Sequence, residues 1–256
     1  MATEPRQFCG STLVLLRHGE SLANASGVFS GWRDDPLTDQ GEQEAAAAGQ
    51  MLAEQQLLPD VVHTSVLNRT IRTAELVLAA MGRSWIPVHR SWRLNERHYG
   101  ALQGRNKAQL KAEVGDDAFT RWRRTFTGTP PPLEDDHAEA ARDPRYAHLP
   151  PDLLPTTESL ADVVARLLPY WYDNLVPDLR AGHTSLVVGH GNSLRALIMH
   201  LDDLTREQVE DLNMPTGIPL VYDLDQHWKP TQRGGTFLDP TAAAERIARI
   251  RAQGGT

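Results

Sequence analysis

A single cysteine, Cys9, stands in a chain of 256 residues. It excludes an intramolecular disulfide and points to a reducing compartment. Its side chain is expected to serve as a small, partly buried apolar group. No apolar run approaches the roughly 20 residues that a membrane-spanning helix needs. The opening residues, MATEPRQFCGS, lack the apolar centre of a secretory signal, so the chain is read as cytoplasmic with no membrane partner. Excess positive charge is missing too. Lys and Arg number 26 against 33 Asp and Glu, a net charge of −7, which argues against a general nucleic-acid partner. Any basic site must therefore be local, of the kind that holds small anions. A cysteine cluster, an HExxH pair, a Walker loop and a GxGxxG fingerprint are all absent, so nothing in the sequence supports a metal or nucleotide site. Ser21 and Ser193 lack the strained GxSxG elbow, which weakens a Ser-His-Asp hydrolase.

What is present is a soluble globular composition, 40% hydrophobic and 23% charged. The length suits one large α/β domain or two small ones, and no repeat or linker marks a second. The stretch Ser11–Ser21 (STLVLLRHGES) organises the rest. Leu13, Val14, Leu15 and Leu16 form a run too short for a helix, read as a buried strand. It stops at Arg17-His18-Gly19, so it delivers a planar cation and a titratable ring to the carboxyl edge of a sheet, where open α/β sheets place ligands. Gly19 is expected to let the backbone approach a ligand closely.

Strand and helix signals alternate after that. A helix is predicted from Thr38 or Asp39 through Leu52, with Asp39 and Glu42 at capping-box spacing. A strand over Asp60–Ser65, a helix over Asn68–Met81 and a strand at Ile86–Val88 follow. Two helices, Asn106–Val114 and Asp116–Phe126, meet at Gly115. The proline- and charge-rich Gly128–Pro155 is too long for an ordinary connector, and Tyr146, Leu149, Leu153 and Leu154 within it favour docking. A helix from about Glu158 to Leu175 is expected to be capped by Thr156 or Thr157 and stopped by Pro177. The strand of TSLVVGHGNS, a helix over Leu194–His200, a short helix capped by Thr205 and Gln208, and a strand over Gly217–Leu224 complete the core. The fold class is α/β: a three-layer sandwich with a mainly parallel central sheet, a single domain with a mostly helical insertion. Its expected extent is 11–225, with the insertion at about 92–157, and 226–256 form a tail that could act as a lid.

LLRHGES and VVGHGNS share one layout: apolar strand, His, Gly, polar residue, Ser, helix. If the two strands are neighbours, His18 and His190 converge, and each following helix offers free backbone N–H groups to an anion. A lone histidine at a strand end is usually incidental; two in matched contexts, one beside Arg17, are not. Arg69 follows another strand and could reach the same edge, whereas Arg72 reads as part of a solvated helix face. Glu96-Arg97-His98-Tyr99-Gly100 packs an acid, a cation, a titratable ring and a phenol into one turn. A carboxyl group held among cations can serve as general acid and base. Arg121, Arg123 and Arg124 around Trp122 form a further basic cluster, as readily a surface patch as a site.

LLRHGES resembles the RHG signature of the histidine phosphatase superfamily. Asn24, FSGW at Phe29–Trp32, TSVLNRTIRT, LNERHYGALQGRNK, WRR, ESL at Glu158–Leu160, LPYW and GHGNSLRALI are similar, in order, to the 2,3-bisphosphoglycerate-dependent phosphoglycerate mutases within it. The likeness covers about Leu13 to Leu224 and implies a phosphoglycerate mutase-like fold. It implies that His18 is a phosphorylated nucleophile. Arg17, Arg69 and His190 would hold the transferring group, with Asn24 and the backbone of Gly191 nearby. Glu96 would exchange the proton of the substrate hydroxyl. Ser30, Gly31, Arg97, Tyr99, Lys107, Arg123, Arg124 and Asn192 would bind the carboxylate and second phosphate of a small phosphorylated three-carbon acid. Arg72, His98 and Arg105 fall outside the site. The implied activity is interconversion of 2-phosphoglycerate and 3-phosphoglycerate, primed by 2,3-bisphosphoglycerate and needing no metal, in a homodimer or homotetramer. A phosphohistidine-dependent phosphatase of small metabolites is the alternative within the fold, and a non-catalytic phosphoanion-binding module the alternative outside it. Because the attacking nitrogen must be neutral, the other ring nitrogen of His18 is expected to donate to a backbone carbonyl.

Overall fold

The structure, a computed structural model, describes residues 10–133 and 143–252. Cys9 and the acidic centre of the proline-rich segment, 134–142, lie outside the described residues. The strands are β1 (Ser11–Arg17), β2 (Val61–Thr64), β3 (Val88–Arg90), β4 (Ser185–Gly189), β5 (Leu220–Leu224) and β6 (Thr236–Phe237). They form one sheet in the order β3-β2-β4-β1-β5-β6. The first four run parallel, β5 pairs antiparallel with β1, and β6 pairs antiparallel with β5.

β1 shows why the sheet is covered on both faces. Leu13 and Leu15 pack into one apolar layer and Val14 and Leu16 into the other, as the two-residue period of a strand requires. The first layer is completed by α5 (Leu160–Tyr170), α6 (Val176–Arg180) and α7 (Gly191–Leu201). The second is completed by α2 (Asp39–Glu54) and α3 (Asn68–Ala80). The result is the expected three-layer α/β/α sandwich. Each fully buried leucine contributes on the order of 2 kcal/mol, so the run Leu13–Leu16 anchors the strand that carries the site.

Two satellite cores stand beside the sandwich. α4 (Lys107–Arg124) packs Leu110 and Phe119 on Phe29, Tyr99 and Leu102. Gly115 breaks it with φ +80°, giving the two hinged helices expected there. Beyond 142 the chain docks Tyr146 and Leu154 on Trp32, with Leu149 beside them. Leu153 does not join and is 42% exposed.

Local differences from expectation have identifiable causes. α2 is capped by Thr38 through Gly41, not by an Asp39–Glu42 box, because Glu42 pairs instead with Arg72. The third strand lies at Val88–Arg90, two residues later than expected, because Ile86 is buried in the core rather than paired. α5 begins only after Ser159, whose hydroxyl and the Asp162 carboxylate make a reciprocal box. Pro177 does not stop the helical run. A wide π-turn over Trp171–Leu175 intervenes, and Pro177 opens α6, where its missing N–H is tolerated. β5 begins at Leu220, not Gly217, and the tail beyond it forms β6 and α9 (Pro240–Ala252). The remaining helices are α1 (Leu22–Ala25) and α8 (Arg206–Asp211), the latter with the expected Thr205–Gln208 box. Among the described residues no helix is long and apolar enough to cross a membrane.

Candidate active site

β1 and β4 are hydrogen-bonded neighbours with Arg17 opposite Gly189, so His18 and His190 leave the sheet side by side. Their ring centroids are 5.1 Å apart. His18 Nδ1 donates to its neighbour's carbonyl, Gly19 O, at 2.7 Å. A carbonyl can only accept, so the proton sits on Nδ1 and Nε2 keeps its lone pair, as expected. Burial pushes His18 well below the usual histidine range; Arg69 and Arg17 push it further, and the Gly19 carbonyl opposes them. The ring is therefore neutral at physiological pH.

His190 is set by its neighbours in the opposite sense. Arg69 Nε donates to Nδ1 at 3.2 Å, so Nε2 carries the proton and faces Ser65 Oγ at 2.8 Å. Burial and then Arg69 hold His190 well below its ordinary range as well. Arg69 is fully buried and also donates to Arg33 O and Gly31 O, both at 2.8 Å. It is the guanidinium that ties α3 to the site, whereas Arg72 on the same helix turns outward to Glu42. Arg17 donates through Nη1 to Met214 O at 2.7 Å. Its Nε, like that of Arg97, is buried without a hydrogen-bond partner, a donor for an anion to satisfy.

Glu96 arrives from the irregular segment after β3. Its Oε1 accepts from the backbone N–H groups of Arg97 (2.7 Å) and Asn192 (3.1 Å), the latter in the first turn of α7. One cleft is lined by Arg17, His18, Asn24, Ser30, Gly31, Arg69, Glu96, Tyr99 and Lys107. Nine of the sequence-predicted residues thus meet in one place. Lys107 opens α4, and burial, with Arg123 and Arg17, lowers it to about 7. Asn192 Nδ2 donates to Tyr99 Oη at 3.0 Å, and the Arg97 guanidinium stacks 4.5 Å above the Tyr99 ring. Arg123 is buried over Phe119 and lowered to about 10, chiefly by burial. Gly191 is buried at the first position of α7 behind His190. Arg124 turns to the Glu210 carbonyl and Asn213 on α8 and the loop beyond it. His98 stacks on Trp32 and Arg105 pairs with Glu113, both outside the cleft.

Gly19 has a packing reason that the sequence did not show. A Cβ there would stand 2.1 Å from Gly41 O, and a Cβ on Gly41 would stand 2.0 Å from Glu20 O. The two glycines let the loop after β1 pack directly on the start of α2.

Sequence reasoning missed three contributors. Ser65 directly follows β2 and partners His190, and only its place after a strand hinted at that. Arg195 is fully buried in α7, donates to Asn192 Oδ1 at 2.9 Å, and is lowered to about 9 by burial and then Arg124 and Arg97. A lone arginine in the apolar run LRALI was its signal. Arg246 on α9 pairs with Glu44 on α2 at 3.0 Å and donates to Thr216 O at 2.5 Å. It holds the tail helix over a second opening that leads to Arg17, Lys107 and Arg123. Among the described residues no three His, Cys, Asp or Glu side chains are placed to hold a metal ion.

Residues 13–227 match the model of the histidine phosphatase superfamily (branch 1). The chain is 59% identical over 245 residues to a 2,3-bisphosphoglycerate-dependent phosphoglycerate mutase of Thermobifida fusca, covering 95% of this chain and 99% of that one. It is 58% identical to the protein of the same name from Streptomyces avermitilis, over 94% of this chain and 96% of that one. Among solved structures, a mycobacterial glucosyl-3-phosphoglycerate phosphatase in complex with VO3 aligns with TM-score 0.64 at 26% identity, over 83% of this chain and 92% of its own.

Proposed function

The chain belongs to the histidine phosphatase superfamily, and from that premise we propose that it is a 2,3-bisphosphoglycerate-dependent phosphoglycerate mutase, interconverting 2-phosphoglycerate and 3-phosphoglycerate through a phosphohistidine. One observation carries the chemistry: a neutral His18, with Nδ1 tied to Gly19 O, shares a cleft with the Glu96 carboxyl group. In the priming step His18 Nε2 forms a bond to phosphorus as the phosphorus–oxygen bond of the donor breaks, and Glu96 delivers a proton to the departing oxygen. In the transfer step Glu96 takes the proton of the free hydroxyl of an incoming phosphoglycerate, whose oxygen bonds to phosphorus as the phosphorus–nitrogen bond to His18 breaks. The 2,3-bisphosphoglycerate so formed gives its other phosphoryl group back to His18, and the isomeric phosphoglycerate leaves. In this scheme the Arg17 and Arg69 guanidiniums and the neutral His190 ring hold the transferring phosphoryl group, and the two guanidiniums supply the charge. Preorganised cations of this kind neutralise the equatorial oxygens of a phosphoryl group in flight. Their charges also keep His18 unprotonated and ready to attack.

Arg97, Lys107, Arg123 and Arg124, with Ser30, Gly31, Tyr99 and Asn192, are the proposed holders of the carboxylate and second phosphate. Asn24 and the backbone of Gly191 complete the phosphoryl site. This cation excess suits a small polyanion and favours transfer to a second hydroxyl over transfer to water. In the proposed scheme the tail helix closes the cleft, the protein works in the cytoplasm, and it assembles as a homodimer or homotetramer. Support for assembly comes from the edge strand β3, exposed at all three residues, with Trp85 74% exposed beside it.

The test is conversion of 3-phosphoglycerate with and without catalytic 2,3-bisphosphoglycerate. Strong acceleration by the primer is expected, with an acid-labile phosphoryl group on the wild-type protein and none on His18→Ala. Dominant release of inorganic phosphate would instead establish the phosphatase of the same fold.

A further inference from the structure

Glu96 sits in a segment with no strand or α-helix to hold it, yet its backbone is gripped from two directions. Trp32 Nε1 donates to Glu96 O at 2.7 Å. Arg166, on α5, donates through Nη2 to the same oxygen at 3.0 Å and to Asn95 O at 2.9 Å, and through Nη1 to Arg93 O at 2.6 Å. Arg166 is itself fixed by Glu158, with Nε to Oε1 at 2.6 Å and Nη2 to Oε2 at 3.1 Å. The same carboxylate accepts from His98 N at 2.8 Å, and Glu158 N donates to His98 O at 2.9 Å. The ion pair therefore spans the segment from Arg93 to His98 with Glu96 near its middle. Trp32, Glu96, Glu158 and Arg166 are all buried.

We propose that Trp32 and the Glu158–Arg166 pair are positioning residues for the proton-transfer step, acting by fixing the peptide from which the Glu96 side chain projects. The inference rests on the proton-carrying role proposed above for Glu96. A carbonyl oxygen has two lone pairs, and here two donors occupy them. With its peptide fixed, the Cα–Cβ bond of Glu96 has one direction, toward the cleft it shares with His18. A buried ion pair is an expensive way to stabilise a fold, because the desolvation of both charges offsets their attraction. Its carbonyl contacts give it a use: the guanidinium fork binds three carbonyls, of Arg93, Asn95 and Glu96, in a stretch that no ladder of strand bonds holds. None of these groups touches the place where phosphorus would sit, so their loss should act on the proton and not on the phosphoryl group.

That separation supplies the experiment. Transfer from phosphoglycerate leaves a poor alkoxide that needs a proton, whereas an aryl phosphate with an acidic phenol leaves without one. Trp32→Phe removes one donor and keeps the aromatic packing; Arg166→Lys keeps a charge but not the fork. The expected losses in kcat on 3-phosphoglycerate are about 10-fold and about 100-fold, the size that small misplacements of a reacting group produce. The burst of 2,4-dinitrophenolate released from 2,4-dinitrophenyl phosphate as His18 is phosphorylated stays within about twofold of wild type in both, because that leaving group needs no proton. Parallel loss on both substrates would mean that the residues merely hold the fold, and no loss on either would mean that they position nothing; each overturns the inference. If Arg166→Lys does not fold, Trp32→Phe decides alone. If Glu96→Gln turns over 3-phosphoglycerate normally, the role of Glu96 fails first, and the inference with it.

Discussion

Lowering the pH from 7 to 5.5 should destabilise this protein by about 4 kcal/mol, before carboxylates contribute. Three buried histidines carry the effect. His18 and His190 are held well below their ordinary range by burial and by Arg69, and His63 is pushed down to about 4 by burial, against the pull of Asp178. His63 is fully enclosed in β2, with Tyr170 Oη 2.9 Å from Nδ1, Asp178 Oδ2 3.2 Å from Nε2 and the His89 ring beside it. In the folded state all three stay neutral, while the unfolded chain takes up protons near pH 6.5. The unfolded state therefore binds more protons, and stability falls as pH falls below 6.5 and stops falling for each group only at its folded value. Each histidine accounts for about 1.3 kcal/mol over this interval, so three give about 4 of the roughly 5–15 kcal/mol that a domain possesses. Urea unfolding at pH 7.0, 6.0 and 5.5 measures it. His63→Gln, which removes one site remote from the cleft, should reduce the loss by about a third. A loss under about 1 kcal/mol in the wild type would mean that the histidines protonate in place, and the neutral His18 on which the mechanism depends would have to be abandoned.

Lys107, lowered to about 7, should make affinity for phosphoglycerate fall as its cation is lost: KM is expected to rise about fivefold from pH 7 to 8, and Lys107→Met should remove that limb from the KM profile. Arg246→Ala breaks a partly exposed ion pair worth on the order of 1 kcal/mol, so the open tail should become about fivefold more populated. Hydrolysis of phosphorylated His18, followed by phosphate release, should rise by the same factor, and an unchanged rate would remove the tail from the closure scheme. Arg72→Ala, which loses only exposed contacts to Glu42 and Glu75, should leave kcat and KM unchanged within twofold, and a larger effect would bring Arg72 into the site.

The sequence by itself determined the strand that carries the site and the chemistry at its end. Leu13–Leu16 can only be a strand buried on both faces, and Arg17-His18 can only leave it at the sheet's edge. Periodicity and capping are local, so α2, α3, the hinge at Gly115 and the Thr205 cap were legible, whereas the single turn of α1, inside a stretch read as a polar loop, was not. Pairing between strands is not local. That β4 lies against β1, bringing His190 within 5.1 Å of His18, depends on which apolar faces bury one another across 170 residues. The same limit hid the packing of Gly19 against Gly41. It moved the cap of α5 to Ser159, where a neighbouring carboxylate was free to reciprocate, and let the helical run pass Pro177 by widening one turn. Protonation states were decided last of all. A histidine in a sequence titrates near 6.5, and only burial between two guanidiniums and a carbonyl says which nitrogen of His18 is bare.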